Sequence, residues 1–348
     1  MKPNIFEIAT KELAQDAFFT WLLQFADQDC SKLDKELNQC GIDFINQLIK
    51  KQLPDFKEEI KKVKAGRQWE NIDVWAEIND KYLIIIEDKT NTSHHSNQLA
   101  RYKEIAAKWC DENKYEKPIC IYLKTGNESQ SSLNKIKEEE FAIFNRVDFI
   151  NLLNKYQNIS NNIFTDFRDR LIRLEKSNNQ FIDKNIRDWK SNDWEGFFQL
   201  LEKQIKIVNW NYVNNPNGGF WNAVLNWDYW DIYPTYIQLE EGKLCFKVST
   251  DPDEVEMPDD ITRGLVRNQL HNLIMKKAKE VGLTDIKKPT RFGSGKYMTV
   301  AIVERHKWLG SEDSKIEIEN VIDNLKKYRQ FLKNTIKSVD KVQLPALN

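Results

Sequence analysis

Histidine, paired cysteines, net charge and long apolar runs are all scarce in this chain, and each shortage removes a class of function. With 4 His in 348 residues, a histidine-built zinc centre has few ligands to draw on. The cysteines Cys30, Cys40, Cys110, Cys120 and Cys245 are odd in number and form no C-x-x-C pair. Neither a disulfide framework nor a zinc knuckle is expected, and a reducing, cytoplasmic setting fits. Only 12 Gly and 9 Pro exclude a collagen-like or Pro/Gly-rich disordered chain. No run of about 18 apolar residues occurs, and no apolar leader follows Met1-Lys2-Pro3-Asn4, so no membrane partner is expected. The net charge of −1 provides no global field toward nucleic acid, so any such site has to be a local basic surface.

What is present suits two domains, each able to bury a core. Residues 10–26 read as a helix with Thr10 as N-cap, and 34–50 as a second that Gly41 interrupts or bends. Glu58–Lys64 is a short, charged strand candidate. Ile72–Ile78 alternates apolar and polar residues, and Asn79-Asp80-Lys81 is turn chemistry. Tyr82–Ile86 is a continuous apolar run, the pattern of a strand covered on both faces. A helix from about Ser96 to Cys110, strands at Pro118–Leu123 and Phe141–Phe144, and a helix from Val147 follow. This order predicts an α/β fold, a mixed sheet flanked by helices, over residues 1–160. A helical connector is expected over 161–180. A C-terminal α+β domain over 181–348 has six of the eleven Trp between Trp189 and Trp230.

The chemistry concentrates between Ile72 and Tyr102. Hydrolysis of a phosphodiester needs a metal to polarise the phosphate, an aimed water and a stabilised leaving oxygen. Asp73 and Glu87 can supply carboxylates to Mg²⁺ or Mn²⁺, and the Asp88 main-chain carbonyl a third oxygen. Lys89, two residues beyond Glu87, leaves the same face of the strand and places a cation beside the attacking water. The hairpin sets a condition. A three-residue turn over 79–81 pairs Ile78 with Tyr82 and Asp73 with Glu87, about 5 Å apart at Cβ. A two-residue turn sends Asp73 to the opposite face.

This pattern resembles the PD-(D/E)XK nuclease superfamily, with Asp73 as its first acid, Ile72 in place of the proline, and Glu87-Asp88-Lys89 as the (D/E)XK half. Gln98-Leu99-Ala100-Arg101-Tyr102 matches the QxxxY element of the RecB-like branch, which implies that Gln98 and Tyr102 contact substrate or support the site. The opening from Asn4 to Phe18, followed by Trp21-Leu22-Leu23, is similar to the start of a bacterial subfamily of uncharacterised members. The resemblance implies Glu12 as a further metal ligand, with Gln15 and Asp16 as helpers. It also implies a Mg²⁺- or Mn²⁺-dependent nuclease, foremost a DNA endonuclease, with restriction or anti-phage defence as the setting. Other strings are decoys: Pro54-Asp55, and Pro258-Asp259 with Asp285-Ile286-Lys287, which no buried strand precedes.

Two further readings stay open. The acids and Lys89 can form a structural salt bridge in a catalytically silent nucleic-acid-binding or scaffold protein, although two neighbouring carboxylates repel unless a cation lies between them. The substrate can also be RNA. The His94-His95 pair, the Trp cluster and Arg291-Phe292-Gly293-Ser294-Gly295-Lys296 are weaker candidates for substrate contact. The first is more simply solvated, the second core, the third a hairpin tip. The C-terminal domain is a candidate for recognition, a protein partner or homodimerisation.

Overall fold

The computed structural model describes residues 3–90, 97–215 and 218–337. The chain divides into two compact units, Met1–Ser177 and Asn178–Asn348. The first unit runs α1 (Ile5–Ile8), α2 (Glu12–Phe25), α3 (Lys35–Lys50), β1 (Val63–Trp69), β2 (Ile72–Ile78), β3 (Tyr82–Lys89), α4 (Gln98–Asn113), β4 (Ile119–Lys124), α5 (Gln130–Glu138), β5 (Ala142–Asn145), α6 (Arg146–Lys155) and α7 (Asn162–Asn179). Its five-stranded sheet has the order β1-β2-β3-β4-β5. The β1–β2 and β2–β3 pairs are antiparallel, and β3–β4 and β4–β5 are parallel. This is the mixed, helix-flanked sheet that the sequence pattern predicts.

The alternation in β2 buries one face and half-exposes the other, whereas every residue of β3 is buried. The reason is that helices cover β3 on both sides. On one face Val74, Ile84, Ile86, Ile121 and Leu123 meet Phe18, Phe19 and Leu22 of α2 and Phe44 and Leu48 of α3. On the other, Leu83, Ile85, Cys120 and Tyr122 meet Leu99, Tyr102, Ala106 and Cys110 of α4. Asn79 and Asp80 both adopt left-handed φ, at 54° and 52°, conformations that Asn and Asp tolerate better than other side chains. They close a three-residue turn, and Ile78 pairs with Tyr82.

Four local expectations change. The first edge strand is Val63–Trp69 rather than Glu58–Lys64. Just before it, the Lys61 and Lys62 backbone N–H groups donate to Asn79 Oδ1 rather than to a neighbouring strand. Helix α2 has Lys11, not Thr10, at its N-cap and no capping side-chain bond there. Helix α3 is continuous through Gly41, and the glycine is explained by packing. A Cβ there would lie 2.6 Å from the Leu22 carbonyl oxygen and 2.9 Å from the Ala26 nitrogen, so the two backbones touch across this point. The segment expected as a connector forms α7, which contributes Phe164, Phe167 and Leu171 to the first core.

The second unit comprises α8 (Ser191–Gln204), β6 (Asn209–Val213), β7 (Phe220–Val224), β8 (Asp228–Trp230), β9 (Tyr233–Glu240), β10 (Lys243–Ser249), α9 (Arg263–Glu280), β11 (Ile286–Lys287), β12 (Tyr297–Val303), α10 (Arg305–Trp308) and α11 (Ile318–Lys337). Its antiparallel sheet has the order β11-β12-β10-β9-β7-β6, with β8 against β9. Trp189, Trp194, Trp210 and Trp230 are buried in its core, where they supply large apolar area.

Replacing an interior helix glycine with alanine ordinarily gains about 1 kcal/mol, but overpacking costs about 1–3 kcal/mol. Gly41→Ala is therefore expected to lower the urea midpoint of the first unit. A raised midpoint would mean that the backbones yield and helix propensity decides.

Candidate active site

The ladder between β2 and β3 ends at Val74 and Ile86, so the next two residues in register are Asp73 and Glu87. There the strands exchange a side-chain contact instead: the Asp88 backbone N–H donates to Asp73 Oδ2 at 3.0 Å. Glu87 shares the parity of Leu83 and Ile85 and stands on the face toward α4. Lys89 follows on that face. Its ammonium forms an ion pair with Glu87 Oε1, lies 3.6 Å from Asp73 Oδ2, and donates to the Asp88 carbonyl at 3.1 Å. One cation thus meets both acids and the main-chain oxygen that the sequence pattern singles out.

The electrostatics follow from burial. The Glu87 side chain is 0% exposed and that of Lys89 10%. Burial, with the Asp73 charge added, pushes the Glu87 carboxyl up to about 8 despite the Lys89 contact. Burial alone lowers Lys89. Glu87, Asp73 and Glu12 outweigh it and hold the ammonium above its ordinary value, so Lys89 stays charged. Both Glu87 carboxyl oxygens are buried, with the Lys89 ammonium and the Asp73 carboxyl as their polar neighbours.

Other expected residues arrive from elsewhere. Glu12, in the first turn of α2, accepts from the Thr90 backbone N–H at 2.9 Å, one residue beyond the motif lysine. Gln98 opens α4 and donates from Nε2 to the Tyr102 hydroxyl at 2.9 Å. Gln98 Oε1 is buried and has no hydrogen-bond partner among the described residues. Gln15 and Asp16 lie on the opposite face of β3. Gln15 Nε2 donates to both carboxyl oxygens of Asp88, at 2.6 and 2.8 Å, and Gln15 Oε1 accepts from Thr125 Oγ1 at 2.8 Å. Burial raises Asp88 well above its ordinary value, with Asp16 adding to it. Burial and Asp73 raise Asp16 to about 6. Burial acts more strongly on Asp88 than on Asp16, and the Gln15 donor opposes it. His94 and His95 lie outside the described residues.

The structure adds polar residues that the sequence reading did not name. Tyr122 and Lys124 are the register partners of Glu87 and Lys89 on parallel β4. Tyr122 donates to Glu128 Oε2 at 2.8 Å, and Lys124 lies 3.2 Å from the same oxygen. The signal was available: β4, like β3, is an apolar run that ends in a buried lysine, and ligands gather at the carboxyl ends of parallel strands. Of the decoys, Asp285 accepts a hydrogen bond from Tyr328 and stands before a two-residue edge strand.

Among the described residues no three His, Cys, Asp or Glu side chains come together as a metal cluster. The carboxyls of Asp73 and Glu87 and the Asp88 main-chain oxygen nevertheless suit a hard divalent ion, which completes its shell with water and substrate.

A mixed sheet with this hairpin at its centre is a nuclease-like α/β fold. A family model described as the PD-(D/E)XK nuclease superfamily matches residues 3–215, more than half of the chain and beyond the first unit. The chain belongs to that superfamily, which supports a nuclease-type hydrolase function and a nucleic-acid substrate. Nucleases of this superfamily generally use divalent metals such as Mg²⁺ or Mn²⁺. No curated protein and no solved structure matches the chain. No helix among the described residues is long and apolar enough to cross a membrane.

Two outcomes test this geometry. Glu87 rises from 4.5 to about 8 on folding, so the native protein holds a proton that the unfolded chain has released between those values. Its contribution is intact below the lower value and lost as pH rises through the upper one. In metal-free thermal melts, the melting temperature of Glu87→Gln relative to wild type is expected to climb between about pH 5 and pH 8; a flat difference would contradict the buried acid. Gln15→Leu leaves Asp88 without its donor and is expected to cost about 1–3 kcal/mol in urea unfolding. No loss there would mean that the contact between α2 and β3 is dispensable.

Proposed function

We propose that this protein is a Mg²⁺- or Mn²⁺-dependent nuclease that cuts DNA as an endonuclease. The observation that carries the reading is the hairpin register, which sets Asp73 and Glu87 side by side with Lys89 against both. Asp73, Glu87 and the Asp88 main-chain carbonyl would hold the metal, and Glu12, bonded beside the motif strand at Thr90, is the further ligand we assign. When bound, the metal polarises the phosphodiester and makes its water a nucleophile at neutral pH.

The chain's own residues do the rest. Lys89, charged and nearly dry, donates to the attacking oxygen and stabilises negative charge as it develops. Glu87 presents a buried carboxyl beside that ammonium. Tyr102, fixed by Gln98, walls the site from the α4 side, and the buried Gln98 carbonyl is an acceptor available to a substrate donor. This Gln98–Tyr102 pair favours the RecB-like QxxxY branch. The free thiols of all five cysteines suit a cytoplasmic enzyme. Restriction or anti-phage defence in a bacterium is the setting we favour by family analogy. The second unit is assigned to recognition, with a protein partner or a homodimer as its other use.

One observation favours a second reading, a silent binding or scaffold protein: the Lys89 ammonium already lies against both acids. The two separate in a cleavage assay on plasmid and linear DNA, and on RNA of the same sequence, with Mg²⁺ or Mn²⁺. Wild type is expected to nick the plasmid, and Lys89→Ala and Asp73→Ala to lose about a hundredfold or more of that rate while remaining folded. No cleavage together with no calorimetric metal binding would establish the scaffold. Preferential cleavage of RNA would replace the DNA assignment.

A further inference from the structure

The substrate of a nuclease is a polyanion, yet this chain has a net charge of −1, so attraction has to be local. Within the second unit the loop from β11 to β12 carries Lys287, Lys288, Arg291 and Lys296 and no carboxylate between 287 and 296. It lies against the first turns of α9, where Arg263 and Arg267 stand one helical turn apart. Arg267 Nη1 donates to the Phe292 carbonyl at 2.7 Å and to Ser294 Oγ at 2.9 Å. Its guanidinium lies 4.2 Å from the centre of the Phe292 ring, and the Lys288 ammonium 4.6 Å from the same ring. Two like charges are thereby gathered on one aromatic side chain. The ring quadrupole compensates part of their repulsion, and an anion between them would compensate the rest.

The nearby acids do not. Lys296 is held by Asp251 at 2.8 Å, and Tyr297 donates to both Asp251 and Glu254, so this acidic stretch and Lys296 tie down the end of the loop. Among the described residues, Arg263, Arg267, Lys287, Lys288 and Arg291 have no carboxylate within ion-pair distance, and Lys287, Lys288 and Arg291 are exposed. Gly293 and Gly295 have open space where a Cβ would stand. The fold does not require glycine there, and the bare backbone lets another chain approach closely.

We propose that this loop and the start of α9 form a nucleic-acid grip, with Arg263, Lys288 and Arg291 on successive phosphates and with Arg267, bonded to the loop and to Asn268, and Phe292 fixing their spacing. The proposal rests on the nuclease reading for the identity of the polyanion. It predicts backbone contact without sequence readout, and therefore steep salt dependence.

The test is fluorescence anisotropy of the full chain with a labelled DNA duplex, in chelator, between about 50 and 200 mM salt. Lys288→Ala/Arg291→Ala is compared with Lys326→Ala/Arg329→Ala, an equal charge change on α11. The loop variant is expected to bind about tenfold or more weakly at the upper salt, with its log–log salt slope shallower by about two, and the α11 variant to bind within about twofold of wild type. Arg291→Glu, a single exposed change, is expected to weaken binding as well should the double variant unfold. Wild-type affinity and slope in the loop variants, or equal losses in the α11 variant, would overturn the grip. With no divalent metal present, a protein that cannot cut is still held by this surface. A working nuclease that grips elsewhere would cut DNA and show no loss in the loop variants.

Discussion

A three-residue turn decides where every charge of the site stands. Asn79 and Asp80 take left-handed conformations, Ile78 meets Tyr82, and the alternation of two facing strands carries that register to Asp73 and Glu87. Because side chains alternate with a period of two, a slip of one residue would bury Asp73 among the phenylalanines of α2 and leave Glu87 without its neighbour. The apolar pattern forbids the slip more strongly than the polar ends reward the register. In β2, Val74 and Ile78 are buried while Asp73, Trp75 and Glu77 are half-exposed, and inverting the strand would bring those aliphatic side chains toward solvent at about 1.5–3 kcal/mol each. The hydrophobic halves of the two strands thus position the acids.

At the carboxyl end of β3, consecutive residues serve opposite faces. Glu87 and Lys89 turn toward α4. Asp88, between them, turns toward α2 and is gripped by Gln15. Arg146 then donates to the Thr125 carbonyl at 2.6 Å and Gln15 bonds the Thr125 hydroxyl, so β3 and β4 are fixed together at the point where their buried lysines emerge. A carboxylate kept at high proton affinity is a costly component. The surrounding bonds hold it in one place, which a reaction needing sub-ångström placement demands.

Much of this was legible because period and composition agreed. The alternation of β2, the aliphatic run of β3 and the charged triplet after it pointed to one hairpin and one family, and the family match extends that to residues 3–215. Three features were not legible, for physical reasons. Helix α5 is short and has only Leu133 and Ile136 to turn toward the core, too few apolar positions to establish a period. The burial of the Asp88 side chain could not be read while only its carbonyl was considered, since the partner Gln15 lies 73 residues away. Lys124 and Glu128 carry ordinary surface residue types, and only the parallel register of β4 shows where they lie. In the second unit the tryptophans proved to be mainly core, and the loop at Arg291 joins two strands much as its turn-rich composition indicates.

The contacts that complete the site differ in kind from those that build the sheet. The pairing of β1, β2 and β3 joins neighbours in sequence, the sort of contact that a chain finds early. Gln15 reaches Asp88 across 73 residues and Thr125 across 110, closures that carry the larger entropic penalty. The hairpin of acids thus closes over a short loop, whereas seating α2 on the strand ends closes long ones, so the polar seam carries the larger share of the ordering entropy.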